Sequence, residues 1–378
     1  MPKPLLRVLV PVAAVAALLL SLEVALRGYD AARARFGGGG AAAGPPVPLH
    51  VVTAEPFLYG LNPEHPDISA QGTRDDEVAV PKPAGAFRVL VLGDSLAYGA
   101  AVGAAETFPN RLEALLRGGG RSSAEVVNAA VSGYTAYNEW QQYLARGRDF
   151  GADVVVVAFC LNDVVNPRLH WGDAPGVRIP DAAIPNPEYD RRHILPRIRR
   201  MNESAAADAR PSPLRHSRLY GAVGPALERL FSGPKDFGAG QRVPTYLTGE
   251  DTISIEVLMD DASPEWRWLT DIYLRLRDAA RDDGAQLVVA LFPLAYQMDE
   301  GYPFLPQQRL LRFCEQHSIP CLDLLPAFKR RPKRELFLLE RSGYLDVWHL
   351  TAEGHRVGAE ELLRFMRERD LLPAAGGG

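Results

Sequence analysis

The chain has 378 residues, 47% hydrophobic and 23% charged, which is enough to bury a sizeable core and too apolar for wholesale disorder. Lys and Arg number 42 against 46 for Asp and Glu, and the resulting net charge of -4 argues against nucleic acid as the main partner. Three scattered cysteines with no CxxC exclude a disulfide scaffold.

Residues 8–22 (VLVPVAAVAALLLSL) carry no charge and follow Lys3 and Arg7, the pattern of a signal peptide or of an uncleaved anchor. The run is shorter than the roughly 20 residues that a bilayer core requires. Leu5 and Leu6 before it and Val24 to Leu26 after it extend the span if Arg7 and Glu23 snorkel to the interface. No small-x-small cleavage site precedes Glu23 and Arg27, so the expectation is a retained signal-anchor helix over residues 1–28. With Lys3 and Arg7 held inside, the remainder then lies outside the cytoplasm as a membrane-anchored body, or is secreted if the segment is cleaved. Residues 37–48 (GGGGAAAGPPVP) lack packing groups and read as the core of a flexible linker over residues 29–49. The folded domain is expected over residues 50–378, entered through a polar, Pro-rich stretch at 56–83 without sustained periodicity.

Phe87 to Leu92 (FRVLVL), Asp153 to Phe159 (DVVVVAF) and Gln286 to Phe292 (QLVVALF) are short apolar runs without alternation, which predicts strands covered on both faces of a parallel sheet. Glu125 to Asn128 and Pro320 to Asp323 are weaker strand candidates. Apolar stripes at helical spacing lie between them, over 105–117 (Phe108, Leu112, Leu115, Leu116) and 264–282 (Trp266, Leu269, Tyr273, Leu276, Ala280). Further helices are expected around Leu310 to Cys314 and around Leu362 to Met366. Strands alternating with helices at this spacing predict an α/β fold with crossover connections. Residues 164–263 break the alternation and are too long for an ordinary connection, so they are expected to form an inserted cap or set of loops. Within them, 213–231 carries a helical pattern weakened by Pro225 and two glycines. The Arg-rich patch at 191–200 suits anionic headgroups or an acidic polymer, with a solvated basic face the plainer reading.

Gly93-Asp94-Ser95 directly follows the first strong strand, and in a parallel sheet ligands bind beyond the carboxyl ends of strands. A serine there needs a base. Asp346 and His349 stand three apart just before a helix opening at Thr351, close enough on a loop for a carboxylate oxygen to meet Nδ1 and leave Nε2 free to take a proton. Acyl transfer also needs donors for an oxyanion. Gly133, after the second strand, presents an amide without a side chain in the way, and Asn162, after the third, carries N–H donors on its side chain. Each residue taken singly reads equally well as a turn former or cap.

Taken in order, these four blocks resemble the SGNH, or GDSL-type, hydrolase superfamily over roughly residues 87–163 and 285–370. The resemblance implies a three-layer α/β/α sandwich with a parallel flavodoxin-like sheet. It assigns the nucleophile to Ser95, base and acid to His349 and Asp346, and the oxyanion donors to the Ser95 and Gly133 amides and the Asn162 side chain. The implied activity is serine-dependent hydrolysis of a small-molecule or glycan ester through an acyl-enzyme, with O-acyltransfer to an envelope or exopolysaccharide glycan as the alternative. A non-catalytic envelope assembly role is a third reading. Cys160 stands where the family usually has glycine in Gly-x-Asn-Asp, which narrows the pocket or shifts the loop if that glycine serves close approach; inert packing is the expected role of its thiol. Membrane-tethered relatives with long insertions often act on acylated cell-surface glycans. No His-Glu-x-x-His and no histidine cluster with ligand spacing occurs, so neither metal nor cofactor is expected. Asp94 and Asp163 read most simply as turn-stabilising carboxylates. Cys314 and Cys321 are expected as two thiols, although oxidation to a pair is open.

Overall fold

The computed structural model describes residues 47–53, 59–164, 245–248, 251–254, 264–299, 306–341 and 344–373. The chain divides into two units, and apart from residues 47 and 48 everything described belongs to the one formed by 49–199 and 241–378. In chain order that unit opens with a small antiparallel pair, β1 (His50–Val52) and β2 (Tyr59–Leu61). Strand β3 (Phe87–Gly93) follows, then helices α1 (Ser95–Tyr98) and α2 (Phe108–Gly118), strand β4 (Ala124–Asn128), helix α3 (Ala136–Ala145) and strand β5 (Val154–Phe159). The second half holds a hairpin of β6 (Thr245–Thr248) and β7 (Asp251–Ser254), α4 (Pro264–Asp282), β8 (Gln286–Leu291), α5 (Pro306–Gln316), β9 (Cys321–Asp323) and the short helices α6 (Leu325–Phe328) and α7 (Lys333–Leu336). A second hairpin, β10 (Phe337–Arg341) with β11 (Tyr344–Leu350), leads into the last helix, α8 (Ala352–Glu368).

The central sheet has five strands, all parallel, in the order β4-β3-β5-β8-β9. Its middle strands carry Val89, Leu90, Val91 and Val154 to Val157 with both faces buried, so the unbroken β-branched runs are the signature of a doubly covered sheet. Helix α2 packs against α8 and α3 against α4, giving the flanking layers of an α/β/α sandwich, as the sequence predicts. The chain leaves β3 for β4 on one side and reaches β5 on the other. The loops after β4, β3 and β5 therefore meet at a topological switch point at the carboxyl edge of the sheet.

Helix α8 begins under a tight constraint. Thr351 caps it by accepting from the Gly354 amide at 3.2 Å, while the Thr351 amide donates to Leu336 O at 2.9 Å. A Cβ on Gly354 would stand 2.3 Å from that Leu336 carbonyl oxygen, a backbone atom that cannot rotate away. Gly354→Ala is therefore expected to destabilise the fold by about 2–3 kcal/mol, the usual scale of overpacking a closed contact. An unfolding midpoint within a degree of wild type would contradict the expectation.

Two sequence expectations are corrected. The segment 8–22 and the linker up to residue 46 lie outside the described residues, and among the described residues no helix is long and apolar enough to cross a membrane. The longest, α4, is amphipathic, with Trp268 and Leu269 buried and Arg267, Asp271 and Arg275 exposed. The uncharged run at 8–22 is itself shorter than a bilayer core asks for. The membrane anchor, the membrane partnership and the extracytoplasmic placement are accordingly set aside. The second correction concerns Asp346 and His349, which lie on strand β11 rather than on a loop. Of the expected insertion at 164–263, the Arg-rich patch and the 213–231 pattern also lie outside the described residues.

Candidate active site

Ser95 is the first residue of α1, a single helical turn directly beyond β3. Asp94 caps that turn, its buried carboxylate accepting from the Leu96 amide at 2.8 Å. Ser95 thus stands at a helix N-terminus, where backbone N–H groups lack intrahelical acceptors and the dipole favours negative charge.

Asp346 and His349 reach the same point through a distortion of the β10–β11 ladder. Leu339 pairs with Asp346 and Phe337 with Leu350, so two steps on β10 face four steps on β11. The extra residues bulge, and the Asp346 carboxylate fills the bulge. Its Oδ1 accepts from the Trp348 amide at 3.2 Å and the His349 amide at 3.0 Å. In a regular strand, residues three apart would face opposite ways; here the bulge turns both side chains together. Asp346 Oδ2 lies 2.8 Å from His349 Nδ1, and His349 Nε2 lies 2.8 Å from Ser95 Oγ. Burial pushes the Asp346 carboxyl up, but the bond and charge of the His349 ring and the two amides outweigh it, so it titrates below the usual carboxylate range.

A second histidine nearby differs in kind. His355 is buried inside α8, its Nδ1 accepts from the Phe108 amide at 3.2 Å, and burial, with Arg111 and Arg74 adding repulsion, pulls its pKa down to about 3. It is a neutral structural imidazole.

The loop after β4 extends the ladder with Ala129 and Val131 amides donating to Val91 and Gly93. Gly133 there has φ +81°, a left-handed conformation that glycine adopts without strain. Tyr59 of β2 braces this loop, its hydroxyl donating to Ser132 O at 2.9 Å, while the Tyr134 hydroxyl donates to Tyr59 O. After β5 comes a 3-10 turn, Leu161–Val164, with Asn162 in its second position. Asp163 ties this turn back, its Oδ2 accepting from the Cys160 amide at 3.0 Å. Cys160 is fully buried, and its backbone is not among the positive-φ positions, so the turn accepts a residue other than glycine there. Asp94 and Asp163 are thus turn-stabilising. Burial raises the Asp163 carboxyl well above its usual range, with Glu139 and Asp94 adding to the effect. Glu139, on α3, is fully buried, and neither carboxylate oxygen has a hydrogen-bond partner among the described residues. Burial likewise raises the Glu139 carboxyl well above its usual range, with Asp94 adding to the effect.

Sequence reasoning missed Arg74, Asp75, Tyr59 and Glu139. The first three lie in or beside a lead-in with no period to read, and Glu139 is a charged residue where a helical stripe should be apolar. Asp75 is one step from the site: it accepts from the Asn128 amide at 3.2 Å and from Asn110 Nδ2 at 3.2 Å. Burial, helped by Glu113, raises its pKa to about 7. A carboxyl raised in the fold favours folding at low pH and opposes it progressively as pH climbs from about 4 to 7. Asp75→Asn removes that opposition and gives up one acceptor. It is expected to gain about 1–2 kcal/mol at pH 8 and to lose about 1 kcal/mol at pH 4. Denaturant midpoints at the two pH values that move in the same direction would contradict this. Cys314 and Cys321 are both thiols, and burial followed by the Cys314 contact raises the Cys321 pKa. Among the described residues no group of three or more His, Cys, Asp or Glu side chains is arranged to hold a metal ion.

Against known families, the profile of the GDSL-like Lipase/Acylhydrolase family matches residues 91–357. No curated protein matches the chain. Similar solved structures include TesA, at 12% identity over 75% of this chain and 99% of its own with a TM-score of 0.40. Another is an acylhydrolase described as putative from Bacteroides fragilis, at 12% identity, 77% and 91% coverage and a TM-score of 0.39. A catalytic mutant of an acetylxylan esterase from Geobacillus stearothermophilus is similar at 11% identity, 75% and 96% coverage and a TM-score of 0.41.

Proposed function

The chain belongs to the GDSL-like lipase/acylhydrolase family, and from that premise we propose that it is a serine ester hydrolase whose triad is Ser95, His349 and Asp346. The observation that carries the reading is the continuous line of contacts from hydroxyl to imidazole to carboxylate, each 2.8 Å long. His349 Nε2 takes the Ser95 proton as Oγ attacks the ester carbonyl, while ionised Asp346 keeps the remaining ring proton on Nδ1. The tetrahedral oxyanion is met by the Ser95 amide at the α1 N-terminus, by the Gly133 amide and by the Asn162 side chain. Collapse breaks the ester C–O bond, and His349 returns the proton to the departing alcohol. Water, deprotonated by His349, then attacks the acyl-enzyme, releases the acid and restores Ser95. The upward shift of the Asp163 and Glu139 carboxyls suits this scheme, because negative charge beside Asn162 would oppose the charge that the loop must hold.

The substrate class proposed is an ester of a small molecule or a glycan. The test is a panel of p-nitrophenyl esters of increasing chain length and acetylated oligosaccharides, each with and without an unacylated oligosaccharide, resolved by mass spectrometry. Release of free acid at a rate indifferent to the added oligosaccharide is expected. Acyl groups recovered mainly on the oligosaccharide would replace hydrolysis with transfer. No turnover of any ester would remove the enzymatic reading in favour of a non-catalytic role.

A further inference from the structure

Helix α1 is one turn long, and an isolated turn has no stability of its own because nucleation is unfavourable. Its N-terminal end is held by Asp94. Its C-terminal end is held by Arg74, a buried side chain from the lead-in segment. Arg74 Nη1 donates to Tyr98 O and to Gly99 O, each at 2.6 Å, and Nη2 donates to Val102 O at 2.8 Å. The guanidinium also lies over the Tyr98 ring, 4.3 Å from its centroid.

The backbone behind this side chain is fixed to the sheet. The Arg74 amide donates to Asn128 O at 3.0 Å, the neighbouring Asp75 takes the Asn128 amide, and Asn128 Nδ2 donates to Ala97 O at 3.2 Å. The carbonyls of Ala97, Tyr98, Gly99 and Val102 are thus all tied to the end of β4 or to a residue bonded there. Among the described residues Arg74 forms no ion pair with a carboxylate. The two terminal nitrogens of this buried cation thus donate to three carbonyls at and just beyond the end of α1, hydrogen bonds strengthened by the charge, while its buried Nε has no partner among the described residues.

We propose that Arg74 is a positioning residue for the nucleophile: by clamping the carboxyl end of α1 it fixes where Ser95 Oγ stands relative to His349 Nε2. The proposal rests on the reading of Ser95 as nucleophile. The forked guanidinium reaches three carbonyls at once, which a lysine ammonium on its flexible stem does not reproduce. Without the clamp the turn is free to drift, and a displacement of about 1 Å at a nucleophile lowers rate by about 10²-fold.

The test measures labelling by a fluorophosphonate together with steady-state ester hydrolysis. In labelling, Ser95 Oγ bonds to phosphorus, fluoride departs and His349 takes the hydroxyl proton. Arg74→Ala is expected to lower both kcat and the labelling rate by about 10²-fold with KM within about threefold of wild type. Guanidinium ion at non-denaturing concentration is expected to restore about tenfold or more. Arg74→Lys, which keeps the charge and the apolar stem, is expected to fold cooperatively with a lowered unfolding midpoint and to lose about tenfold in kcat at unchanged KM. Wild type labelled at Ser95, with Arg74→Ala labelled as fast, overturns the positioning role. If Arg74→Ala does not fold, wild-type kcat in Arg74→Lys overturns it equally. Wild type that takes no label at Ser95 overturns the triad reading, and this proposal falls with it.

Discussion

Ser95→Ala is expected to lower kcat for any ester substrate by about 10⁴–10⁶-fold while leaving substrate affinity within about threefold of wild type. The hydroxyl is the group proposed to bond to the acyl carbon, and its side-chain hydrogen-bond partner is the His349 ring. The unfolding midpoint should therefore move little, since Asp94 caps the turn through the Leu96 amide and not through Ser95. Residual hydrolysis within about tenfold of wild type would mean that water or another nucleophile carries the reaction.

Asp346→Asn is expected to be nearly as damaging, and for a reason legible in the bulge. Asp346 Oδ1 accepts from two backbone amides, so in the variant the amide oxygen stays at that position and the NH₂ group replaces Oδ2, facing His349 Nδ1. Nδ1 lies 2.8 Å from Oδ2 and 3.0 Å from Oδ1, so an NH₂ donor at the nearer position favours an unprotonated Nδ1, which moves the ring proton to Nε2 and removes the proposed base from Ser95. A fall in kcat of about 10³–10⁴-fold follows, by analogy with other serine triads. Stability shifts as well. A carboxyl whose pKa is lowered in the fold contributes stability above its unfolded value, near 4, and loses it as pH falls toward its folded value. The wild type should therefore lose more stability than the variant as acid is added. Full activity in Asp346→Asn, or identical acid unfolding curves, would contradict this account of the bulge.

The parts of the fold that rest on apolar continuity are readable in the sequence. The Val-rich run at 154–157 and the stripe from Trp266 to Ala280 fall on β5 and α4, because burial on both faces of a strand, or on one face of a helix, leaves a periodic mark. Helix α3 leaves none. The residues it buries include Asn138, Glu139 and Gln142, which hydrophobic periodicity discounts. The β10–β11 hairpin escapes for a different reason: its bulge destroys the alternation that identifies a strand.

The candidate site follows the same division. Ser95, Gly133 and Asn162 sit just beyond β3, β4 and β5, where the order of the blocks leads one to expect them. The Asp-x-x-His spacing survives even though its carrier is a distorted strand. What the spacing cannot reveal is the support behind those residues. Arg74 and Asp75 come from a segment without period, and they reach α1 and Asn128 only through the tertiary fold. A single turn of helix followed by an αL glycine also carries no statistical signal strong enough to announce that its carbonyls need an external clamp.

The central claim is that Ser95 itself becomes acylated. Wild-type protein mixed rapidly with p-nitrophenyl acetate, quenched in acid during the first turnover and digested should yield an acetyl group on the Ser95 peptide, approaching one per chain and absent from Ser95→Ala. Turnover without an adduct on that peptide, or an adduct on a different residue that survives in Ser95→Ala, would contradict the mechanism at its root.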